Sequence, residues 1–206
     1  AWNKAMKLYN MTLTEEEAYM HEGRTGASTI NIVSIRERGY EATEEEIKEI
    51  YKTKSDIFNG LPKAKRMPGA LEVLTQIKEN GLTPMVVTGS GQLSLLDKLN
   101  HNFPNIFQEH LMVTAFDVKY GKPNPEPYLM ALKKAGINAN QAIVIENAPL
   151  GVQAGVAAGI FTVAVNTGPL PDSALLEQGA NLLFHSMNEF SENWKNLFNT
   201  LNQTTR

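Results

Sequence analysis

Two stretches, Ala142-Ile143-Val144-Ile145 and Ile160-Phe161-Thr162-Val163-Ala164-Val165, are apolar at nearly every position rather than at alternate ones, and a helical segment of small residues separates them. A strand with apolar side chains on both faces must be covered on both faces. Strand, helix, strand is also the order that a parallel crossover needs. This pair commits the second half of the chain to a parallel sheet layered between helices. From Pro68 onward the alternation continues. It predicts a helix over 69–80 stopped by Gly81, a strand over 84–88, a helix over 93–99 and a strand over 111–115. A helix over 128–135 closed by Gly136, a strand over 142–146, a helix over 151–158 and a strand over 160–165 follow. A helix over 172–178 and a short strand over 181–184 end the series.

The first sixty residues read differently. Trp2, Met6 and Tyr9 have helical spacing, and Thr14-Glu15-Glu16-Glu17 and Thr43-Glu44-Glu45-Glu46 each place Thr at a helix start with Glu three residues later. Between them Ile30, Ile32, Val33 and Ile35 lead to a stop at Gly39. Asn59-Gly60-Leu61-Pro62, followed by Lys63-Ala64-Lys65-Arg66, is turn chemistry and then charge, a hinge or linker. The expected organisation is a helical bundle over 1–62 and a Rossmann-like α/β core, a parallel sheet flanked by helices, over 63–206.

Composition removes several functions. The formal charge is −3, and the 19 basic residues are scattered, so neither nucleic acid nor an anionic membrane surface is an expected partner. The absence of cysteine excludes disulfides and thiol chemistry, and no apolar run approaches the roughly 20 residues of a spanning helix. Ala1-Trp2-Asn3-Lys4 opens directly into an amphipathic helix, with no signal peptide. A cytoplasmic monomer is expected.

Three polar groups stand where an apolar sheet does not need them. The strand over 84–88 runs into Thr88-Gly89-Ser90-Gly91, and the strand over 142–146 runs into Glu146-Asn147-Ala148-Pro149. In a parallel sheet both tips share one edge. Gly121-Lys122-Pro123-Asn124-Pro125-Glu126-Pro127 restricts the backbone around Lys122, which aims that ammonium at the same edge. Taken singly, Thr88 and Ser90 read as helix caps, Lys122 as a solvated loop lysine and Glu146-Asn147 as a turn. Taken together they are equipment for phosphate: hydroxyls and free amides for its oxygens, a lysine for its charge, and hard oxygens for magnesium.

Thr88-Gly89-Ser90, Gly121-Lys122-Pro123-Asn124-Pro125 and Val144-Ile145-Glu146-Asn147-Ala148-Pro149-Leu150-Gly151, in this order, resemble motifs two, three and four of the haloacid dehalogenase superfamily. The chain is most similar to its β-phosphoglucomutase-like branch, in which a helical cap domain precedes the second motif. The resemblance implies an aspartyl-phosphate mechanism with Mg2+ as cofactor. Thr88 then binds the transferring phosphoryl group, Lys122 neutralises nucleophile and phosphate, and Glu146 and Asn147 reach magnesium. The first motif, Asp-x-Asp-Gly after a strand, is missing. The only Asp residues are Asp56, Asp97, Asp117 and Asp172, and the nucleophile is expected upstream of Ala1. Asn147 stands where the family more often carries Asp.

His21-Glu22-Gly23-Arg24-Thr25-Gly26 falls where the family's substrate-specificity loop lies. Arg24 is positive there, as a sugar-phosphate mutase requires, but Glu22 is not. A carboxylate facing a phosphorylated sugar repels it, whereas facing a metal-bound diphosphate it accepts a magnesium ligand. Glu22 and His21 read equally well as a solvated helix end. Gly23, Arg24 and Thr25, with Gly89 and Ser90, are candidate substrate contacts. Lys54, late on a cap helix, is a surface lysine or a group that reaches the substrate when the cap closes. Asp117 is expected to brace the Lys122 loop, and His21, His101, His110 and His185 show no ligand spacing. The expected activity is hydrolysis of a small phosphorylated compound, pyrophosphate first and a sugar phosphate second. A phosphomutase and a non-catalytic phosphate-binding protein are the alternatives.

Overall fold

Four helices make up the first part of the chain: α1 (Trp2–Leu8), α2 (Glu15–Met20), α3 (Gly26–Arg38) and α4 (Glu44–Asn59). They are seen in a computed structural model that describes residues 1–62, 65–91 and 95–204. Both expected capping boxes form. Thr14 Oγ1 accepts from the Glu17 N–H at 3.1 Å while Glu17 Oε2 accepts from the Thr14 N–H at 2.8 Å, and Thr43 and Glu46 repeat the exchange. Each box satisfies amide donors that a helix start leaves without partners. The four helices enclose a core of their own, built on Met6, Met11, Leu13, Ile30, Val33 and Ile50.

The second part is a helix–sheet–helix sandwich. Its elements are α5 (Ala70–Glu79), α6 (Leu95–Asn102), α7 (Glu126–Ala135), β1 (Ile143–Glu146), α8 (Pro149–Ala157), β2 (Phe161–Val165), α9 (Ser173–Leu176), β3 (Leu182–Phe184) and α10 (Met187–Thr204). The strands pair in the parallel order β1-β2-β3, with Ile143 opposite Phe161 and Val163 opposite Leu182. Alternation along β2 divides the core. Val163 and Val165 pack with Val73 of α5 and with Phe190 and Trp194 of α10, while Ala164 turns to Val152 of α8 and Leu175 of α9. Val144 packs with Tyr128 of α7 and Ala154 of α8. Burying side chains such as Phe190 and Val163 contributes about 1.5–3 kcal/mol each, enough in sum to order the layers.

Four elements differ from the sequence expectation. The segments over 84–88 and 111–115 form no continuous strands; they meet at one parallel bridge, Val87 to Val113, with the Thr88 N–H donating to Val113 O at 2.9 Å. Pro84 has no N–H to give, Leu111 closes a 3₁₀ turn over Glu109–Leu111, and Asp117 captures the Thr114 N–H at 2.8 Å. Only Met112 and Val113 are left extended enough to pair. The helix over 172–178 is a single turn, Ser173–Leu176. The 18-residue α10 was not foreseen, although Phe190, Trp194, Leu197 and Leu201 carry helical spacing. The expected helix start at Leu93, and Lys63-Ala64 of the linker, lie outside the described residues. No helix among the described residues is long and apolar enough to cross a membrane.

Gly69 locks α5 against α10. Its φ is +84°, and a Cβ there would lie 2.4 Å from both Asn188 N and Met187 C, which are backbone atoms that cannot swing away. Gly69→Ala is therefore expected to lose about 2 kcal/mol of stability or more, from left-handed strain and the clash together. Urea unfolding of the two proteins measures the difference.

Candidate active site

β1 delivers Glu146 to the carboxyl edge of the sheet, where the approach of α8 shapes its surroundings. A Cβ on Gly151 would sit 2.1 Å from Glu146 Cδ, so the carboxylate lies flat over a glycine in the first turn of α8. Lys122, 5% exposed, donates from Nζ to Glu146 Oε1 and, at 3.0 Å, to Val87 O at the Val87–Val113 bridge. Tyr128, in the first turn of α7, donates its phenol to the same Glu146 Oε1 at 2.5 Å. Its ring also lies under the Lys122 ammonium, 4.8 Å from Nζ to the centroid. Glu146 Oε2 accepts from the Asn147 N–H at 3.2 Å. Burial first, and then the charge of Glu146, holds the Tyr128 phenol well above its ordinary pKa, so Tyr128 acts as a donor.

The loop after α2 closes over this cluster. Asn147 Nδ2 donates to Glu22 Oε2 at 3.3 Å, which joins the helical part to the sheet edge. Surrounding protein raises the pKa of Glu22 by desolvation, the nearby Glu146 carboxylate raises it further, and Asn147 and Lys122 offset part of the rise. Gly23, at φ +95°, presses on the Lys122 stem: a Cβ there would come within 2.9 Å of Lys122 Cδ. Gly89 has even less room, since a Cβ would meet the Gly23 and Arg24 carbonyl oxygens at 2.6 Å. The two loops touch backbone to backbone.

The sequence candidates divide into four groups. Lys122, Glu146, Asn147 and Glu22 converge. Thr88, Gly89 and Ser90 border them; Thr88 Oγ1 accepts from the Ser90 N–H at 3.1 Å, which leaves its hydroxyl proton as a donor. The Gly91 N–H is directed to Tyr51 Oη of α4 at 3.4 Å. Arg24 and Thr25 line an outer cleft of about 440 Å³ together with Ser28, Lys119, Tyr120 and Lys122. Arg24 Nε donates to His21 Nδ1 at 3.4 Å, and burial lowers the His21 pKa, in keeping with a neutral acceptor ring. Thr25 Oγ1 is engaged in capping α3 through the Ser28 N–H. Lys54 lies apart: its ammonium sits 5.3–5.5 Å from the centroids of Trp2, Tyr51 and Phe58, and burial and Lys98 lower its pKa. Asp117, expected to brace the Lys122 loop, instead ties its own turn at Thr114 to Lys134 of α7.

Tyr128 and Gly151 are the site residues that sequence reasoning missed. A tyrosine at a helix start and a glycine in a run of small residues look like core, and only the three-dimensional approach of α7 and α8 to Glu146 reveals them.

The donor set fits a hard divalent cation in part. Glu22, Glu146 and Asn147 are oxygen-bearing side chains at one point, and two crowded carboxylates are a charge arrangement that such an ion relieves. Among the described residues no group of three acidic, His or Cys side chains surrounds a common point, so the set covers only part of a six-fold shell.

Gly151→Ala isolates the placement of Glu146. Alanine favours the helix by about 1 kcal/mol, but its methyl must push the carboxylate off Lys122 and Tyr128. The melting temperature should fall, because the buried Lys122 ammonium loses its partner and the helix gain is too small to offset that, and a crystal structure of the variant shows Glu146 displaced.

A family model described as haloacid dehalogenase-like hydrolase matches residues 1–165. Hexitol phosphatase A of Escherichia coli is 32% identical over 125 residues, which are 61% of this chain and 56% of that protein. A phosphorylated carbohydrates phosphatase of Thermotoga maritima is 32% identical over 135 residues, 65% of this chain and 61% of that one. The chain thus spans about three-fifths of the length of these curated relatives. A solved Bacteroides vulgatus structure with a provisional β-phosphoglucomutase label superposes at TM-score 0.94 with 74% identity, covering 97% of this chain and 81% of its own.

Proposed function

The chain belongs to the haloacid dehalogenase-like hydrolases, and we propose that residues 1–62 and 63–206 are the cap and core domains of a magnesium-dependent phosphohydrolase. Its substrate is a small phosphate compound, inorganic pyrophosphate first and a sugar phosphate second. The observation that carries this reading is Glu22, a cap carboxylate 3.3 Å from Asn147 and close enough to Glu146 to feel its charge. Two carboxylates at the mouth of a phosphate site repel a free sugar phosphate. They suit a diphosphate that arrives with a cation.

In this reading each residue has a task that its geometry permits. Lys122 neutralises the phosphoryl group, because its ammonium stands between the Thr88 loop and Glu146. Thr88 gives its hydroxyl proton to a phosphoryl oxygen, and the backbone at Gly89 and Ser90 completes the cradle. Arg24, on the outer cleft, holds the far end of the substrate, and Gly23 and Thr25 keep the cap loop tight on the core. Lys54 joins the substrate only after leaving its three aromatic rings. Glu22, Glu146 and Asn147 would hold magnesium, which when bound supplies positive charge to the phosphate oxygens. Asp56 and Asp117 pair with lysines, Asp172 pairs with His185, and Asp97 lies exposed on α6, so none of the four stands at Lys122. The enzyme works as a cytoplasmic monomer.

A phosphomutase is the second reading, favoured by the label of the Bacteroides vulgatus structure. Phosphate release from pyrophosphate, hexitol phosphates and hexose phosphates, measured with and without magnesium, separates the two. Pyrophosphate is expected to turn over fastest. Isomerisation of a hexose phosphate that requires a bisphosphate activator would replace our reading with the second. Lys122→Ala should lower turnover by roughly 10²–10³-fold, with circular dichroism at low temperature showing the fold retained and the melting temperature lowered by loss of the buried ion pair, and a variant as active as the parent would remove Lys122 from the chemistry.

A further inference from the structure

We propose that Tyr128 is a positioning residue for the metal site, holding one oxygen of Glu146 so that the other is presented to the cation. This rests on the magnesium-dependent reading above and adds a residue to it.

The donors around Glu146 are unevenly distributed. Oε1 takes two, the Lys122 ammonium and the Tyr128 phenol, while Oε2 takes one backbone N–H, from Asn147 at 3.2 Å. A carboxylate oxygen has two lone-pair sites, so Oε1 is filled and Oε2 keeps one open. A lysine alone does not fix this choice. Its ammonium is a rotating point charge that either oxygen satisfies. The phenol gives the direction, because Tyr128 has two side-chain torsions, is 6% exposed and packs with Val144 and Ala154. The same ring faces the Lys122 ammonium at 4.8 Å, so one side chain orients both members of the ion pair. Gly151 closes the remaining side, with both carboxylate oxygens within 2.4 Å of where a Cβ would be. Phenylalanine would fill the same volume and keep the cation over its face. The hydroxyl is the part that only Glu146 uses.

The test is Tyr128→Phe, with Mg2+ binding followed by calorimetry on the purified protein and thermal melts in parallel. Groups that orient metal ligands cost about 10–100-fold in affinity when lost, and a drop of that size is expected with the fold retained and the melting temperature lowered only by the loss of one buried hydrogen bond. Tyr128→Leu, which also removes the ring, should lose both affinity and stability. A parent that binds Mg2+ with a Tyr128→Phe variant that binds equally well overturns the role of Tyr128 alone. A parent that binds no Mg2+ overturns the magnesium reading and this proposal with it. If the variant does not fold, a crystal structure of the parent with Mg2+ decides: Oε2 toward the ion supports the proposal, and Oε1 toward the ion overturns it.

Discussion

The ion pair between Lys122 and Glu146 is the contact on which the carboxyl edge depends. Its side chains are 5% and 10% exposed, so neither charge has water to fall back on. Removing one partner of such a pair costs about 3–5 kcal/mol, because the other is left buried and uncompensated. The pair is therefore obligatory, and it fixes three separate pieces of chain: the end of β1, the loop leading into α7, and, through Val87 O, the segment entering the Thr88 loop. Glycines stand where the backbone must come close to it. Gly151 lies under the carboxylate, Gly23 over the lysine stem, and Gly121 against Thr25.

The seam between helices and sheet follows from that crowding. With the Gly23–Arg24 backbone resting on Gly89, the loop after α2 has no freedom to carry Glu22 elsewhere. Glu22 therefore sits beside Asn147 and close to a like charge. Desolvation first and then the Glu146 charge raise its pKa, although the side chain keeps contact with solvent, and a cation arriving there meets two neighbouring carboxylates. Structural packing and proposed chemistry use the same contacts here.

Much of this was legible in local sequence. The capping boxes at Thr14 and Thr43, the stop at Gly39, and the apolar runs of β1 and β2 depend on neighbours a few residues away, and sequence states such neighbours directly. Glu146 and Asn147 were legible because polar groups at the end of an apolar strand need a reason, and Lys122 because the prolines around it restrict its backbone. What failed was non-local. The pairing of Val87 with Val113 depends on how far Leu111 and Thr114 are drawn into turns, and a run of apolar letters does not record that. Tyr128 looks like any core aromatic until its hydroxyl is seen on Glu146. Helix α10 carries its pattern openly, but strand–helix alternation does not require a final helix, and its packing against α5 becomes visible only in three dimensions.

In the proposed function, charge around the cleft sets which anion is accepted. Arg24, Lys119 and Lys122 line the cleft, while Glu146 pairs with Lys122 and Glu22 sits beside Asn147. The cations attract an anionic group. Under the proposed function the two carboxylates then discriminate, because a neutral sugar body brings nothing to offset them, while a metal-bound diphosphate brings its own positive charge. On the proposed function, replacing Glu22 with a neutral group would therefore change which substrates are rejected more than how strongly phosphate is attracted, whereas replacing Lys122 would weaken the attraction itself.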